Sequence, residues 1–563
     1  MRVNLTMDDV VNFQKPESRL WLFKGSLIWI AYFVVMAFAY GLTPAQAHPS
    51  ENKHALSADR EQPRKLVIFH TSDMHGYVIP HKARWHTSNP KRLIGGFEAL
   101  AATVNATKQP YLLLDSGDFF QGAPEGTLSR GHSVIELMNV LKYDAAVIGN
   151  HEYDFGEENL IALSKRAKFP LLAANIQSLK TGAPVSYARP WALFERGGIK
   201  VGVIGLSTRF TSTATLPAHV AHLRFVTEVE AAKPHVLALR HAGADVVIAL
   251  THCGVGPSVA RKHILTSDYK PPVSDLKYPG DILIAKESGV DLVLGGHAHA
   301  AFSELWTPQG GVPIAQSGEH LEHVTRIEIQ VHKGKPLTIS GSLIPLWSDQ
   351  RGSHAEMARA VERVSADVQK QMKKPLGRAQ DPLPRTAPSP NLDGPLPNLF
   401  CDEMKRQGGS DFALHNTFGF RTDLNKGPLT VGDLYRVMPF ENTLAVMNLT
   451  GAQVRDLILS NVKGGVSRIQ VSRELTVRVS LDPELNLTHG QVHYKGSPIN
   501  PNQKFKVAMN SYMSGGGSCC RDLKDLPHTD TAIPLRVLFM DTIKSKSPVK
   551  APSVGRIKSV SHQ

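Results

Sequence analysis

Between about residues 64 and 350 the chain alternates short apolar runs with longer amphipathic stretches. The runs fall at 66–69, 111–114, 145–148, 171–174, 201–206, 246–250 and 290–294. Runs this short, rich in Val, Ile and Leu, have the length of buried strands, and the helix-period segments between them supply the crossovers. The region therefore predicts a layered α/β domain. From His354 to Met372 the pattern becomes a Gly- and Pro-free stretch rich in Ala, Glu, Val, Arg and Lys, which predicts a single exposed helix within a linker at 351–375. The Pro-rich segment 375–397 marks the boundary that follows it. A second, smaller α+β domain is expected over 376–543. It has a helix near 399–406, a glycine-containing loop at 416–421, and strands near 444–449, 475–479 and 505–509. The polar residues 544–563 predict a disordered tail.

The N-terminal segment changes the expected compartment. Arg2, Lys15, Arg19 and Lys24 precede an uncharged apolar run at 27–42 and then Ala45-Gln46-Ala47. A basic flank, a short apolar core and Ala-x-Ala predict a signal peptide over 1–47, cleaved after Ala47, and a periplasmic or secreted protein. The run falls short of the roughly 20 residues that cross a bilayer comfortably, so no stable membrane span is expected after cleavage. The long flank, which also holds Asp8, Asp9 and Glu17, leaves an uncleaved anchor as the other outcome. The net charge of +13 suits an anionic substrate, but Lys and Arg are scattered without aromatic interleaving, so nucleic acid is not an expected partner. Four cysteines are too few for a disulfide scaffold. Cys401 could pair with Cys519 or Cys520, or all could be buried thiols.

The candidate chemistry lies where the strands stop. The first run ends in His70-Thr71-Ser72-Asp73-Met74-His75, the second in Asp115-Ser116-Gly117-Asp118 and the third in Gly149-Asn150-His151-Glu152-Tyr153-Asp154. The run at 246–250 ends in Thr251-His252-Cys253, and that at 290–294 in Gly295-Gly296-His297-Ala298-His299. The rim of an α/β sheet is where its ligands bind. Asp, Asn and His at five successive strand ends are the donors that suit divalent Mn, Zn, Co or Fe. One Asp-x-His is an ordinary surface pair; five coincidences at strand ends point to a metal centre.

In this order the motifs D-x-H, G-D, G-N-H-E, T-H and G-G-H-x-H resemble the calcineurin-type metallophosphoesterases, which implies a layered αββα catalytic domain. With the second domain the chain resembles the secreted 5'-nucleotidases, a family that includes bacterial UDP-sugar hydrolases. The resemblance implies two divalent metal ions. Asp73, His75 and His299 would hold one; Asn150, His252 and His297 would hold the other; Asp118 would bridge them. Relatives carry Gln in places where this chain has His299. Such a pair polarises a water and clamps the phosphoryl oxygens during in-line attack. The resemblance also implies that His151, positioned by Asp154, acts on the phosphoryl group, and it leaves Glu152 structural.

In the second domain Asn416-Thr417-Phe418-Gly419-Phe420-Arg421 resembles the family's N-G-G-G-I-R loop. Pro439-Phe440-Glu441-Asn442 resembles P-F-x-N, and Ser511-Tyr512-Met513-Ser514-Gly515-Gly516-Gly517-Ser518 resembles F-L-x-G-G-G-D. Phe440 and Tyr512 are thereby implied as a clamp on a nucleotide base, with Asn416, Arg421 and Asn442 as polar contacts. The departures are Thr417 and Phe418 in place of glycines, Ser518 in place of Asp, and Arg385 out of register with a further family arginine. The expected activity is phosphate removal from nucleoside 5'-monophosphates, extending to di- and triphosphates or UDP-sugars. The alternative is a 2',3'-cyclic-nucleotide 2'-phosphodiesterase with 3'-nucleotidase activity. A nucleotide-binding protein without catalysis would show degenerate metal donors, and all seven are present; a secreted nuclease would need a basic stripe.

Overall fold

Two sheets stacked face to face carry the first domain. In chain order its strands are β1 (Arg64–Thr71), β2 (Tyr111–Asp115), β3 (Ala145–Val147), β4 (Leu171–Leu172), β5 (Trp191–Arg196), β6 (Ile199–Ser207), β7 (Val246–His252), β8 (Leu292–Gly295), β9 (Ile314–Gln316), β10 (His323–Val331) and β11 (Thr338–Pro345). One sheet runs β11-β10-β1-β2-β3-β4 and the other β9-β8-β7-β6-β5. The computed structural model describes residues 62–560 apart from 84, 87, 257–263, 267, 333, 335 and 350–353, so the expected signal segment lies outside the described residues. Among the described residues no helix is long and apolar enough to cross a membrane.

Strand alternation explains the layering. Leu66, Ile68, Leu112 and Leu114 face Val201, Val203, Ile248 and Leu250 between the sheets. Val67, Phe69 and Leu113 point the other way, onto the helices Phe97–Asn105 and His132–Leu141. Ile204, Val247 and Ala249 likewise meet the helices Glu228–His241 and Asp281–Glu287. Each of these central strands is buried on both faces, which is why it reads as a continuous apolar run. The expected αββα arrangement is present. Sequence reading missed β9 and the antiparallel strands β5, β10 and β11 at the sheet margins. β11 alternates exposed and half-buried residues, a weak signal beside the central runs.

The helix Ala355–Met372 is not simply exposed, as expected. Met357, Ala360, Val361, Ser365 and Met372 are buried, and it packs on helices of the first domain and on Val431–Val437 of the second.

The second domain adds β12 (Phe412–Asn416), β13 (Thr443–Thr450), β14 (Ile469–Val471), β15 (Leu475–Leu481), β16 (Leu487–Tyr494), β17 (Ser497–Pro498), β18 (Lys504–Asn510), β19 (His528–Pro534) and β20 (Ile557–Ser559). They form a sheet ordered β14-β12-β18-β13-β19 and a smaller one ordered β17-β16-β15-β20. β20 corrects the expectation of a disordered tail from 544. It pairs parallel to β15, Ile557 and Val549 are buried, and Arg556 makes a paired contact with both carboxylate oxygens of Asp402 at 2.8 and 2.9 Å. Its few apolar residues are spaced among Lys, Ser and Pro, so composition concealed them.

The expectation that Cys401 could pair with Cys519 or Cys520 is also corrected. All four cysteines are free; Cys401 is buried in a cluster around Phe400 and Phe539, whereas Cys520 belongs to the separate core around Phe412 and Phe505.

Candidate metal centre and nucleotide cleft

The donors converge because the parallel strands of both sheets end at the same rim. Asp73 and His75 follow β1, Asp118 follows β2, Asn150 follows β3, His252 is the last residue of β7, and His297 and His299 follow β8. Asp73, His75 and His299 form one group in which a donor atom of each lies within 4.8 Å of the others; Asp118, His252 and His297 form a second. In the first, His75 Nε2 and His299 Nε2 face one another at 3.0 Å, and His299 Nε2 lies 3.6 Å from Asp73 Oδ1. In the second, His252 Nε2 lies 3.0 Å from Asp118 Oδ2.

Backbone conformation marks the same residues. Asp73, His75, Asp118, His297 and His299 all have positive φ, between 48° and 72°. Non-glycine residues rarely adopt this conformation, and it clusters at functional sites. At Gly149 the need for glycine is direct, since a Cβ there would lie 2.3 Å from Asp118 Oδ1.

The other ring nitrogens fix which atom faces inward. His75 Nδ1 donates to the Gln121 carbonyl at 2.7 Å and His252 Nδ1 to the Ser116 carbonyl at 2.6 Å. His299 Nδ1 donates to the Glu319 carboxylate. Each imidazole therefore presents Nε2 to the centre, as outer partners of metal-binding histidines do. Asn150 Oδ1 is buried with no hydrogen-bond partner, and the buried His252 Nε2 meets the Asp118 carboxylate at 3.0 Å. An unpartnered amide oxygen in a carboxylate and imidazole set fits divalent cations.

Electrostatics differ between donors. Burial keeps His75 neutral well below its ordinary range, and it brings His297 down to about 3. Burial opposes charge on His252 as well, but the Asp118 carboxylate beside it outweighs this and lifts it to about 10. Asp118 is correspondingly held well below the usual carboxylate range by His252 and His151, against burial. Burial and the neighbouring Asp118 charge raise Asp73 well above it.

His151 Nδ1 donates to Asp154 Oδ2 at 2.7 Å, and its Nε2 lies 3.9 Å from Asp118 Oδ2. Burial alone would lower His151, but Asp154 and Asp118 raise it above its ordinary value. Glu152, read as structural, accepts from the backbone N–H of Asp118, Phe119 and Gly149 at 2.9, 3.0 and 2.7 Å. It thus clamps the turn that aims Asp118.

The second domain closes over this centre. A cleft of about 1060 Å³ is lined by Asp118, Asn150, His151, Asp154, His297 and His299 on one side and by Asn416, Arg421, Phe440, Asn442 and Tyr512 on the other. The metal-side residues Asp73, His75 and His252 are buried behind that lining. The guanidinium of Arg421 reaches 3.4 Å from His75 Nε2, and the Phe440 ring lies 5.8 Å from that of His151. Arg385, out of register in sequence, donates to the Arg421 carbonyl at 2.8 Å and so braces it from outside the cleft. Asn416 Oδ1 accepts from Asn510 at 2.6 Å, which leaves its amide N–H groups for a ligand. Asn442 accepts from Ser511 at 3.4 Å and is placed likewise. One face of Tyr512 lies against Gly517, where a Cβ would come within 2.3 Å of the ring. Ser518, in place of the family Asp, borders the cleft and bonds the Tyr512 hydroxyl at 2.9 Å. Phe418 borders the cleft and Thr417 turns inward to the Ser467 carbonyl at 2.7 Å.

Sequence reading missed Glu319, Gln121 and Thr215, the last of which donates its hydroxyl proton to Asp154 Oδ1 at 2.8 Å. Glu319 follows β9, so the strand-end rule extended by one strand would have found it. Thr215 carries no comparable signal.

The calcineurin-like phosphoesterase family matches residues 66–301, and the 5'-nucleotidase C-terminal domain matches 375–524. The chain is 26% identical over 507 residues to protein UshA of Escherichia coli, covering 82% of this chain and 88% of that protein. It is 25% identical over 607 residues to the NAD 5'-nucleotidase of Haemophilus influenzae, covering 94% and 97%. A 5'-nucleotidase precursor from Thermus thermophilus superposes with a TM-score of 0.75 at 27% identity, over 88% of this chain and 99% of that one. The sulfate thiohydrolase SoxB of the same genus shares the fold with a TM-score of 0.70 at 18% identity, over 88% and 96%.

Proposed function

The chain belongs to the two-domain 5'-nucleotidases, calcineurin-like phosphoesterases that hydrolyse phosphoesters, and from that premise we propose that it removes phosphate from nucleoside 5'-monophosphates outside the cytoplasm. The observation that carries this reading is the approach of Arg421 to His75 at 3.4 Å, which brings a phosphate-seeking guanidinium from one domain to the metal donors of the other.

Asp73, His75 and His299 would hold one divalent cation, and Asn150, His252 and His297 the other, with Asp118 shared. Two such cations supply Lewis acidity toward the phosphoryl oxygens and lower the pKa of water between them. The protein's own groups then do the remaining work. Arg421 binds and orients the phosphate through its paired N–H donors. His151, whose pKa Asp154 and Asp118 raise above its ordinary value against burial, donates in its protonated form to a phosphoryl oxygen as negative charge develops there. Phe440 and Tyr512 stack on the base, which needs aromatic faces and little sequence-specific hydrogen bonding, so purines and pyrimidines are both accepted. A cleft volume of about 1060 Å³ supports diphosphates and UDP-sugars as further substrates.

The test is phosphate release from AMP, UDP-glucose and a 2',3'-cyclic nucleotide by the purified chain, with Mn or Zn added and then with a chelator. Chelator-sensitive turnover of AMP is expected. Turnover of the cyclic ester alone would replace this reading with the cyclic phosphodiesterase. Export is tested by N-terminal sequencing of the protein made in a Gram-negative host; a chain beginning at His48 is expected.

A further inference from the structure

We propose that Thr215 is a positioning residue for hydrolysis, the third member of a hydrogen-bonded series that begins at the His151 imidazole and passes through the Asp154 carboxylate. The inference rests on the role assigned to His151 above. Asp154 Oδ2 accepts the Nδ1 proton of His151 at 2.7 Å, and Asp154 Oδ1 accepts the hydroxyl proton of Thr215 at 2.8 Å. A carboxylate held through one oxygen still rotates about its terminal torsion, which has a broad, soft profile. Held through both, it fixes the plane in which the imidazole lies. Thr215 is buried, 2% exposed, so water does not readily replace its hydroxyl.

The segment that carries Thr215 is itself fixed from two directions. Within the first domain Thr211 Oγ1 donates to the Thr208 carbonyl at 2.8 Å, and Thr215 N–H donates to the Thr211 carbonyl at 3.4 Å. From the second domain the Tyr512 hydroxyl and the Ser518 N–H both donate to the Thr213 carbonyl, at 2.7 and 3.0 Å. Arg521 Nη2 reaches Thr213 Oγ1 at 3.3 Å. The residue assigned to stack on the base therefore grips this short segment at Thr213, two positions before the residue that steadies the dyad. Thr215 acts through Asp154, so its hydroxyl sets the aim of His151 without taking part in proton transfer.

The experiment is steady-state kinetics of Thr215→Val and Thr215→Ser in the full chain with Mn, using AMP and the base-free ester p-nitrophenyl phosphate, alongside metal analysis. Loss of one hydrogen bond to a charged group predicts a kcat about tenfold lower for Thr215→Val on both substrates, with KM changed by less than about twofold. Metal content should equal that of the wild type, and Thr215→Ser should return kcat to within about twofold. In an Asp154→Asn background Thr215→Val should cost less than about twofold more, because the two act as a unit. Wild-type kcat in Thr215→Val, or the full loss repeated in the Asp154→Asn background, would overturn the proposal. If Thr215→Val melts early, Thr215→Ala against Thr215→Ser gives the same comparison, and equal kcat values overturn it. A wild type inert on AMP but active on p-nitrophenyl phosphate would refute the nucleotide reading while leaving the Thr215 comparison intact.

Discussion

Arg421 of the second domain ends 3.4 Å from His75 of the first, so the guanidinium proposed to bind phosphate meets the donor cluster where the two domains are apposed. The ring of Phe440 lies 5.7 Å beneath the same guanidinium, which limits where its side chain rests.

Arg421→Ala should therefore raise KM for AMP about 10- to 100-fold, the range expected for a charge-assisted contact to phosphate, with metal content unchanged. Initial-rate kinetics and elemental analysis of the same preparation check both halves.

Removing a shared donor and removing a proton donor should have different signatures. Asp118→Asn is expected to abolish phosphate release and to lose bound metal, because its carboxylate is the donor proposed to be shared by the two cations, beside His252 and His297. His151→Ala is expected to keep its metal while kcat falls about 10²- to 10⁴-fold. Metal-loaded His151→Ala at wild-type speed would remove His151 from the mechanism.

Glu319 is the carboxylate behind His299, whereas backbone carbonyls stand behind His75 and His252. Glu319→Gln should weaken metal retention at the group formed by Asp73, His75 and His299 by about 10- to 100-fold, sparing the other group. Titration of the metal-free variant with Mn should then show one wild-type binding phase and one weakened phase.

In the metal-free protein His252 titrates near 10 beside Asp118, while His75 and His297 are already neutral. A donor imidazole must be neutral, so uptake of the second cation should release the His252 proton at pH 8. Its apparent affinity should weaken about tenfold for each unit the pH falls below 10. The stability sign follows from the same shift. His252 is raised above its ordinary value of 6.5, so its contribution is fully present below pH 6.5 and is lost as the pH rises through about 10. The melting temperature of the chelated protein should fall over that interval. Calorimetry in buffers of different ionisation enthalpy measures the proton release.

The metal centre was legible in sequence because its donors follow uninterrupted apolar strands. The run 246–250 stops at His252 and the run 290–294 stops just before His297, so the rim could be read without coordinates. Thr215 was not legible. It lies in a polar loop, and its meaning comes only from a bond to Asp154, sixty-one positions earlier. β20 was hidden for a related reason: Ile557 is buried by β15, roughly eighty residues before it, and nothing local in a Lys- and Pro-rich tail announces the pairing. β10 and β11 lie antiparallel at the end of an otherwise parallel sheet, and β11 has the weaker alternation of a half-covered strand.

Five of the seven expected metal donors hold a left-handed backbone that glycine adopts freely and aspartate or histidine resists. Glycine at any of those five positions would relax the loop and remove a donor atom in the same step. Selection for thermal robustness alone would therefore drift toward a sturdier, inert variant, and a screen for hardier versions of this enzyme must score turnover together with melting temperature.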